Sequence, residues 1–199
     1  MFTPAAKATA EKLGLTLGHP NLEEFAATLE ELARANPNII AVTSDSRGSG
    51  KLGPFGKALP KQLVEVGIAE QNLVGVTAGL AACGKKPFGV SPACFLTARS
   101  LEQIKNDVCY SDVPAVLAGI SAGVSYGALG STHHSLHDIA TLRAIHNISI
   151  VVPADNFETH EAVRAAARAE HPVYLRFGKA PMYTLHKPDA RFEIGKAIT

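Results

Sequence analysis

The sequence predicts an α/β protein: a three-layer α/β/α arrangement around a mostly parallel sheet of about six strands. Short apolar runs alternate with stretches of helical periodicity along most of the chain, the order that covers both faces of a parallel sheet with helices. Runs such as IIAVT are apolar at successive positions rather than at alternate ones, as strands buried on both faces are. Polar residues with chemical potential follow several of the runs, which is where open parallel sheets bind their ligands.

Residues 1–20, rich in Ala, Lys and Thr, read as a lead-in with some helix. A helix opens at Asn21, which can cap a backbone N–H while Glu24 reaches back across the first turn. Leu22, Phe25, Leu29 and Leu32 recur at helical spacing, and Pro37 ends the segment. IIAVT (39–43) is then the first strand, with the loop SDSRGSGKLG at its carboxyl end. QLVEV (62–66) leads into a small-residue helix, and PFGVS (87–91) leads into a helix over 97–109. PAVLAGIS (114–121) is followed by a glycine-rich loop and a helix from about Ser135. ISIVV (148–152) precedes a helix with a capping box at Asp155 and Glu158, and PVYLR (172–176) is the last strand. The main domain accordingly spans 21–186. Residues 187–199 read as a linker toward a further C-terminal domain, with RFEIGKAIT resembling the opening of a strand.

A chain of 199 residues with 46% hydrophobic content suits one domain with a substantial core. Its 19 Lys and Arg against 18 Asp and Glu create no field that points to nucleic acid or an anionic membrane. No apolar run approaches the roughly 20 residues of a membrane span, and the start has neither a secretory nor a transit pattern. Cys83, Cys94 and Cys109 are odd in number and widely spaced with no CxxC pair, the usage of reduced thiols rather than of disulfides or structural zinc. These features together predict a cytoplasmic protein.

The stretch VEVGIAEQNLVGVTAGLAACG (64–84) holds the most pointed signal. Beyond Glu65 its one acid is Glu70, set among Gly, Ala, Val, Leu and Ile, where an ionised carboxylate needs a partner. Gly75 and Gly79, one turn apart, imply a helix face that something approaches closely, because glycine costs a helix about 1 kcal/mol relative to alanine. The plainer alternative makes Glu70 an acid that favours the positive end of a helix dipole. His133 and His137, at i and i+4, have a spacing that can place two metal ligands on one helical face, but no HExxH glutamate accompanies them, so no metal site is assigned to this chain.

Five separated motifs, GIAEQN (67–72), FLTARSLEQIKND (95–107), GSTHHSLHDIATLRAI (130–145), VVPADNFET (151–159) and PVYLRFGK (172–179), together resemble the pyrimidine-binding domain of the transketolase family, from about Asn21 to Arg176. The resemblance implies the thiamine diphosphate-binding fold and places Glu70 as the acid that hydrogen-bonds the cofactor's pyrimidine nitrogen and favours the imino tautomer needed to activate the thiazolium. It puts Phe95 against the pyrimidine, Asp45 near the thiazolium edge, and Ser49 and Arg176 on the substrate phosphate. His133 becomes the residue that bonds the donor ketose and shares in proton transfer, while His134 and His137 are structural. Phe95 read alone could be a core phenylalanine, and Asp45 a turn residue.

The departures from the family are specific. Leu129 stands where many transketolases have an aspartate that reads a substrate hydroxyl, Ser121 where some have a histidine near the phosphate, and Ala98 and Leu101 where several have Phe and Tyr. The GDG signature with a later Asn, which binds Mg2+ and the diphosphate, has no counterpart in the chain. The resemblance therefore implies a two-carbon ketol transferase acting on sugar phosphates with a partner, the diphosphate-binding subunit of a split transketolase, as a dimer or heterotetramer. Deoxyxylulose phosphate synthase, the β subunit of a 2-oxoacid dehydrogenase and a noncatalytic assembly subunit are the rival readings.

Overall fold

In the computed structural model, residues 2–187 and 189–198 are described; Met1, Pro188 and Thr199, which fall in the expected lead-in and linker, lie outside the described residues. The six apolar runs form one parallel sheet of β2 (Ile39–Thr43), β3 (Leu63–Glu65), β4 (Lys86–Pro92), β5 (Val116–Ile120), β6 (Ser149–Val151) and β7 (Val173–Arg176). Their spatial order is β3-β2-β4-β5-β7-β6. β2 and β5 are buried at every position, which is why they read as continuous apolar runs. Helices α2 (Asn21–Ala35) and α8 (Asn156–Arg168) join one apolar cluster with Phe25, Leu29, Ala162 and Val163. Helix α4 (Glu70–Ala82) joins the other, with Leu73, Val74 and Ala78 against Leu117 and Tyr174. The predicted three-layer parallel α/β fold is the one observed.

Two glycines let layers approach. A Cβ on Gly89 in β4 would come within 2.7 Å of Thr77 Oγ1 and 3.0 Å of Leu73 Cδ2 on α4, so the absent side chain sets how closely that helix lies on the sheet. A Cβ on Gly119 in β5 would press into the fully buried Tyr174 ring, 2.6 Å from its Cζ.

Several boundaries differ from expectation. Asn21 does not cap α2: Pro20 precedes the helix without a side-chain cap, and Asn21 is its first residue. Its buried amide accepts from Asn156 Nδ2 at 2.9 Å and donates to the Pro153 carbonyl at 3.4 Å, while Glu24 meets His19. Tertiary partners have taken both groups away from the helix end. Asp155 does cap α8, accepting from Glu158 N–H at 2.9 Å, but Glu158 returns to Ala154 N–H rather than to the cap residue. The segment expected as one helix over 97–109 starts earlier, as α5 (Ala93–Arg99). It breaks at Ser100 and continues through α6 (Leu101–Gln103) into a π-helical turn, Ile104–Tyr110. The helix placed near Ser135 is α7, Asp138–Leu142. A short α3 (Gly53–Ala58) also forms just after the β2 loop, where the sequence shows no helical periodicity.

Residues read as a lead-in form α1 (Pro4–Lys12), capped by Thr3, and β1 (Leu17–Pro20). β1 pairs antiparallel with β8 (Pro181–Tyr183), apart from the main sheet. Residues 189–198 carry no helix or strand, so the strand that RFEIG resembled does not form there; Phe192 and Ile194 instead pack against the core. Among the described residues no helix is long and apolar enough to cross a membrane.

Candidate active site

The strand order reverses around β2, since β3 lies on one side of it and β4 on the other. A reversal of this kind opens a crevice at the strands' carboxyl ends, and the crevice beside β2 and β4 is where the candidate residues gather. One cleft of about 340 Å3 is lined by Ser44, Asp45, Ser46 and Ser49 from the loop after β2 and by Pro92 and Phe95 from the end of β4 and α5. Glu70 joins from the start of α4, with Tyr126, Leu129 and His133 from the loop after β5.

The loop after β2 is tightly built. Asp45 is exposed and holds a left-handed backbone, φ +53, a conformation Asp tolerates better than most residues. Its N–H donates to Glu65 Oε1 at 2.7 Å, and the same oxygen accepts from Gly67 N–H at 3.0 Å. Ser44 Oγ donates to Ser91 Oγ at 2.8 Å, tying the ends of β2 and β4 together beneath the cleft.

Glu70 is the first residue of α4 and is only 4% exposed. Its carboxylate does not stand alone: Arg99 Nη1 donates to both Oε1 and Oε2, each at 3.0 Å. The same guanidinium lies over the Phe95 ring, 4.3 Å from its centroid. Phe95 and Arg99 are four residues apart on α5, so helical spacing puts them side by side. Next to them in the chain Cys94 is buried, and burial pushes its thiol above the ordinary value; it is not a nucleophile of the site.

His133 packs edge-on between Phe95 (centroids 5.1 Å apart) and Tyr126 (5.3 Å), and Lys179 Nζ sits 4.6 Å over the Tyr126 ring. Thr132 Oγ1 lies 2.9 Å from His133 Nδ1, which leaves Nε2 as the ring's other polar atom. His137 reaches Thr97 Oγ1 and His134 the Gly127 carbonyl. Since α7 starts only at Asp138, His133 and His137 do not share a helical face.

The structure thus brings Asp45, Ser49, Glu70, Phe95, Leu129 and His133 to one cleft and leaves Arg176 outside its lining. Arg176 Nε donates to Asp138 Oδ2 at 2.8 Å and Nη2 to the Ser135 carbonyl at 3.2 Å. Asp138 is buried and also accepts from the Tyr174 hydroxyl at 3.1 Å. Burial, then the neighbouring Asp138 charge, pushes the Tyr174 phenol well above its ordinary value, so it stays a donor. Ser121 is buried with φ +55, and its hydroxyl has no hydrogen-bond partner among the described residues. Gly75 and Gly79 face open space: beyond the neighbouring backbone of their own helix, no atom of the described residues lies within 4 Å of a Cβ built on either. Sequence reasoning passed over Arg99 and Tyr126. The signal for Arg99 was there: a buried acid demands a cation, and FLTAR offers one a helical turn after Phe95.

Comparison with known proteins gives a consistent picture. The family "Transketolase, pyrimidine binding domain" matches residues 22–183. The chain is 51% identical over 178 residues to an apulose-4-phosphate transketolase subunit of Phocaeicola vulgatus, covering 89% of this chain and 57% of that protein. It is 37% identical over 174 residues to a 1-deoxy-D-xylulose-5-phosphate synthase of Caldanaerobacter subterraneus subsp. tengcongensis, covering 86% of this chain and 28% of the synthase. Among solved structures, a split gene transketolase described as an inactive beta4 tetramer superposes with a TM-score of 0.80 at 37% identity, covering 90% of this chain and 57% of that one. The chain spans little more than half the length of the transketolase subunits it resembles.

Proposed function

This chain belongs to the transketolase family through its pyrimidine-binding domain, and we propose that it is the pyrimidine-domain part of a split, thiamine diphosphate-dependent transferase that moves a two-carbon ketol unit between sugar phosphates. The observation that carries the reading is the buried Glu70 carboxylate opening onto the Phe95 face in the cleft at the β2/β4 switch point. The split arrangement is supported by the likeness to one subunit of an apulose-4-phosphate transketolase and to a split gene transketolase.

The residues present fit the cofactor's ring. A flat cation with N–H donors already rests there, since the Arg99 guanidinium covers Phe95 while bonding Glu70. When bound, thiamine diphosphate supplies the nucleophilic carbon that takes up the ketol unit. Glu70 holds the pyrimidine nitrogen and keeps a proton there, and Phe95 supports the ring by stacking. His133, across Phe95, takes and returns a proton at a substrate hydroxyl through Nε2. Asp45 would lie near the cofactor's thiazolium edge, Ser49 would hold the substrate phosphate, and Arg176 would serve that phosphate with donors not spent on Asp138 and the Ser135 carbonyl. Leu129 offers no hydrogen bond, so this site does not select a hydroxyl there.

The diphosphate and Mg2+ contacts belong, in this reading, to a partner subunit, and the α4 face around Gly75 and Gly79 is the surface buried on assembly into a dimer or heterotetramer, in the cytoplasm. Residues 21–186 are the proposed domain, with β1 of the preceding segment and Phe192 and Ile194 of the following one packed onto it. A synthase-like reaction is the second reading, carried by the likeness to deoxyxylulose phosphate synthase.

Co-purification from the source with mass spectrometry of the bound chain tests the proposal: a partner carrying the GDG signature is expected, and the pair should turn over ketose donors. Tight, magnesium-dependent binding of thiamine diphosphate to this chain alone in a calorimetric titration would overturn the split site.

A further inference from the structure

Arg99 contacts both groups that the proposed function assigns to the cofactor ring. Its guanidinium lies on the Phe95 face and hydrogen-bonds both Glu70 oxygens, the two surfaces that a planar ring bonded to Glu70 would occupy. It also forms a wall. The cleft of about 340 Å3 described above and an outer cleft of about 590 Å3, lined by Ile68, Ala69, Glu70, Gln71, Asn72 and Arg99, share Ile68, Glu70 and Arg99. Arg99 thus lines both spaces beside Glu70.

The contact is built to release. Both hydrogen bonds leave the same nitrogen, Nη1, rather than two nitrogens in the fork that makes arginine–carboxylate pairs strong. The Arg99 side chain is 49% exposed although its partner is 4% exposed, so its charge is already partly held by solvent. Glu70 is different: at the buried start of α4 it has nowhere else to turn and needs a partner at all times.

We propose that Arg99 is a removable occupant of the seat on Phe95 and Glu70, filling it in the free chain and leaving when a flat ring whose nitrogen can hydrogen-bond Glu70 enters. Arg99 then satisfies Glu70 during folding and before assembly, and it competes with the cofactor's aminopyrimidine for the same two surfaces. The inference rests on the function proposed above. A competitor of this kind lowers apparent affinity by the fraction of chains in which the seat is open. Removing the guanidinium therefore tightens binding of the ring.

The test is titration of the full chain with thiamine, which carries the pyrimidine without the diphosphate, followed by protein amide shifts in NMR. Arg99→Ala should bind thiamine roughly tenfold more tightly than the parent, a change of about 1.4 kcal/mol, and Arg99→Lys, whose compact ammonium keeps a charge for Glu70 but lacks the flat face that lies on Phe95, should fall between them. In the parent, the Arg99 Nε–H resonance should move to a solvent-exchanging position as thiamine saturates. Unchanged or weaker binding by both variants makes Arg99 a ligand of the cofactor or a bystander and overturns the proposal, as does an Nε–H resonance unmoved at saturation. If Arg99→Ala does not fold, Arg99→Lys and the parent resonance decide the matter. Glu70→Ala separates the two levels: affinity unaffected by that change puts the ring elsewhere and removes the functional reading, whereas loss of affinity with no gain in the Arg99 variants removes only the occupant. Absence of thiamine binding in parent and variants alike overturns the occupant, since no ring then competes with Arg99 in this chain.

Discussion

Replacing Glu70 by Gln separates a structural role from a chemical one, because the two losses differ greatly in size. Both carboxylate oxygens accept from Arg99 Nη1 at 3.0 Å. Glutamine keeps one acceptor and turns an NH2 group toward the guanidinium. A hydrogen bond to a charged group contributes about 1.5–3 kcal/mol, but the guanidinium is half exposed, and solvent screening brings the loss toward the ~1 kcal/mol of an exposed pair. For a domain of this size that lowers the thermal midpoint by about 2–4 °C. The chemical loss should be far larger. Glutamine can still bond the pyrimidine nitrogen, yet it has no proton to give, and acid or base steps contribute about 10²–10⁴-fold. Deuterium exchange of the thiazolium C2 proton, followed by NMR on the enzyme reconstituted with its partner, reads that step directly. Exchange as fast as in the parent, with ketol transfer intact, would return Glu70 to the plainer role of an acid at a helix start.

Leu129→Asp should shift donor preference of the reconstituted enzyme toward ordinary ketose phosphates, since a site built to bond a hydroxyl discriminates strongly; identical relative rates across donors would take Leu129 out of the substrate site. Gly119→Ala should destabilise the chain by roughly 2–4 kcal/mol in urea, as the new methyl displaces the Tyr174 ring and its bond to Asp138, and an unshifted urea midpoint contradicts that packing. Burial pushes the Asp155 carboxyl up, but the Glu158 and Leu185 N–H groups and the His186 side chain and N–H outweigh it and hold the group below its ordinary 3.8. The stability it contributes is therefore present above pH 3.8 and is lost as pH falls through the depressed value. Thermal midpoints of parent and Asp155→Asn should converge on acidification below pH 3.8; a constant gap there shows that the carboxylate charge is not what stabilises.

The main sheet was legible because burial on both faces writes itself into consecutive residues: Ile39–Thr43 and Val116–Ile120 are buried throughout. Elements whose stability comes from partners were harder to see. Asn21 has the chemistry of a cap, and only the packing of α2 on α8 gives its amide to Asn156 and Pro153 instead. The break between α5 and α6 falls at Ser100, whose Oγ returns to the Leu96 carbonyl at 2.5 Å, a bond available to any helical serine. β1 and β8 are four and three residues long and only partly buried, so neither carries an apolar run. Their pairing is a long-range fact.

The candidate site was legible for a related reason, and incompletely. Residues that clash with their local setting, such as an acid in an apolar helix, are visible one at a time, and the strand-end rule gathers them at one rim. That rule locates a backbone position but gives no side-chain direction. Arg176 ends β7 at the same rim as the others, yet its guanidinium turns to Asp138, because a buried carboxylate that also serves Tyr174 holds it there. Arg99 is the converse. Nothing in its own surroundings is discordant, since an arginine on a helix end is ordinary, and its place follows only from what Glu70 and Phe95 each require: a counter-charge for one and a flat surface for the other. The pairing of needs, rather than any single unusual residue, is what makes Arg99 the side chain that the incoming ring has to displace.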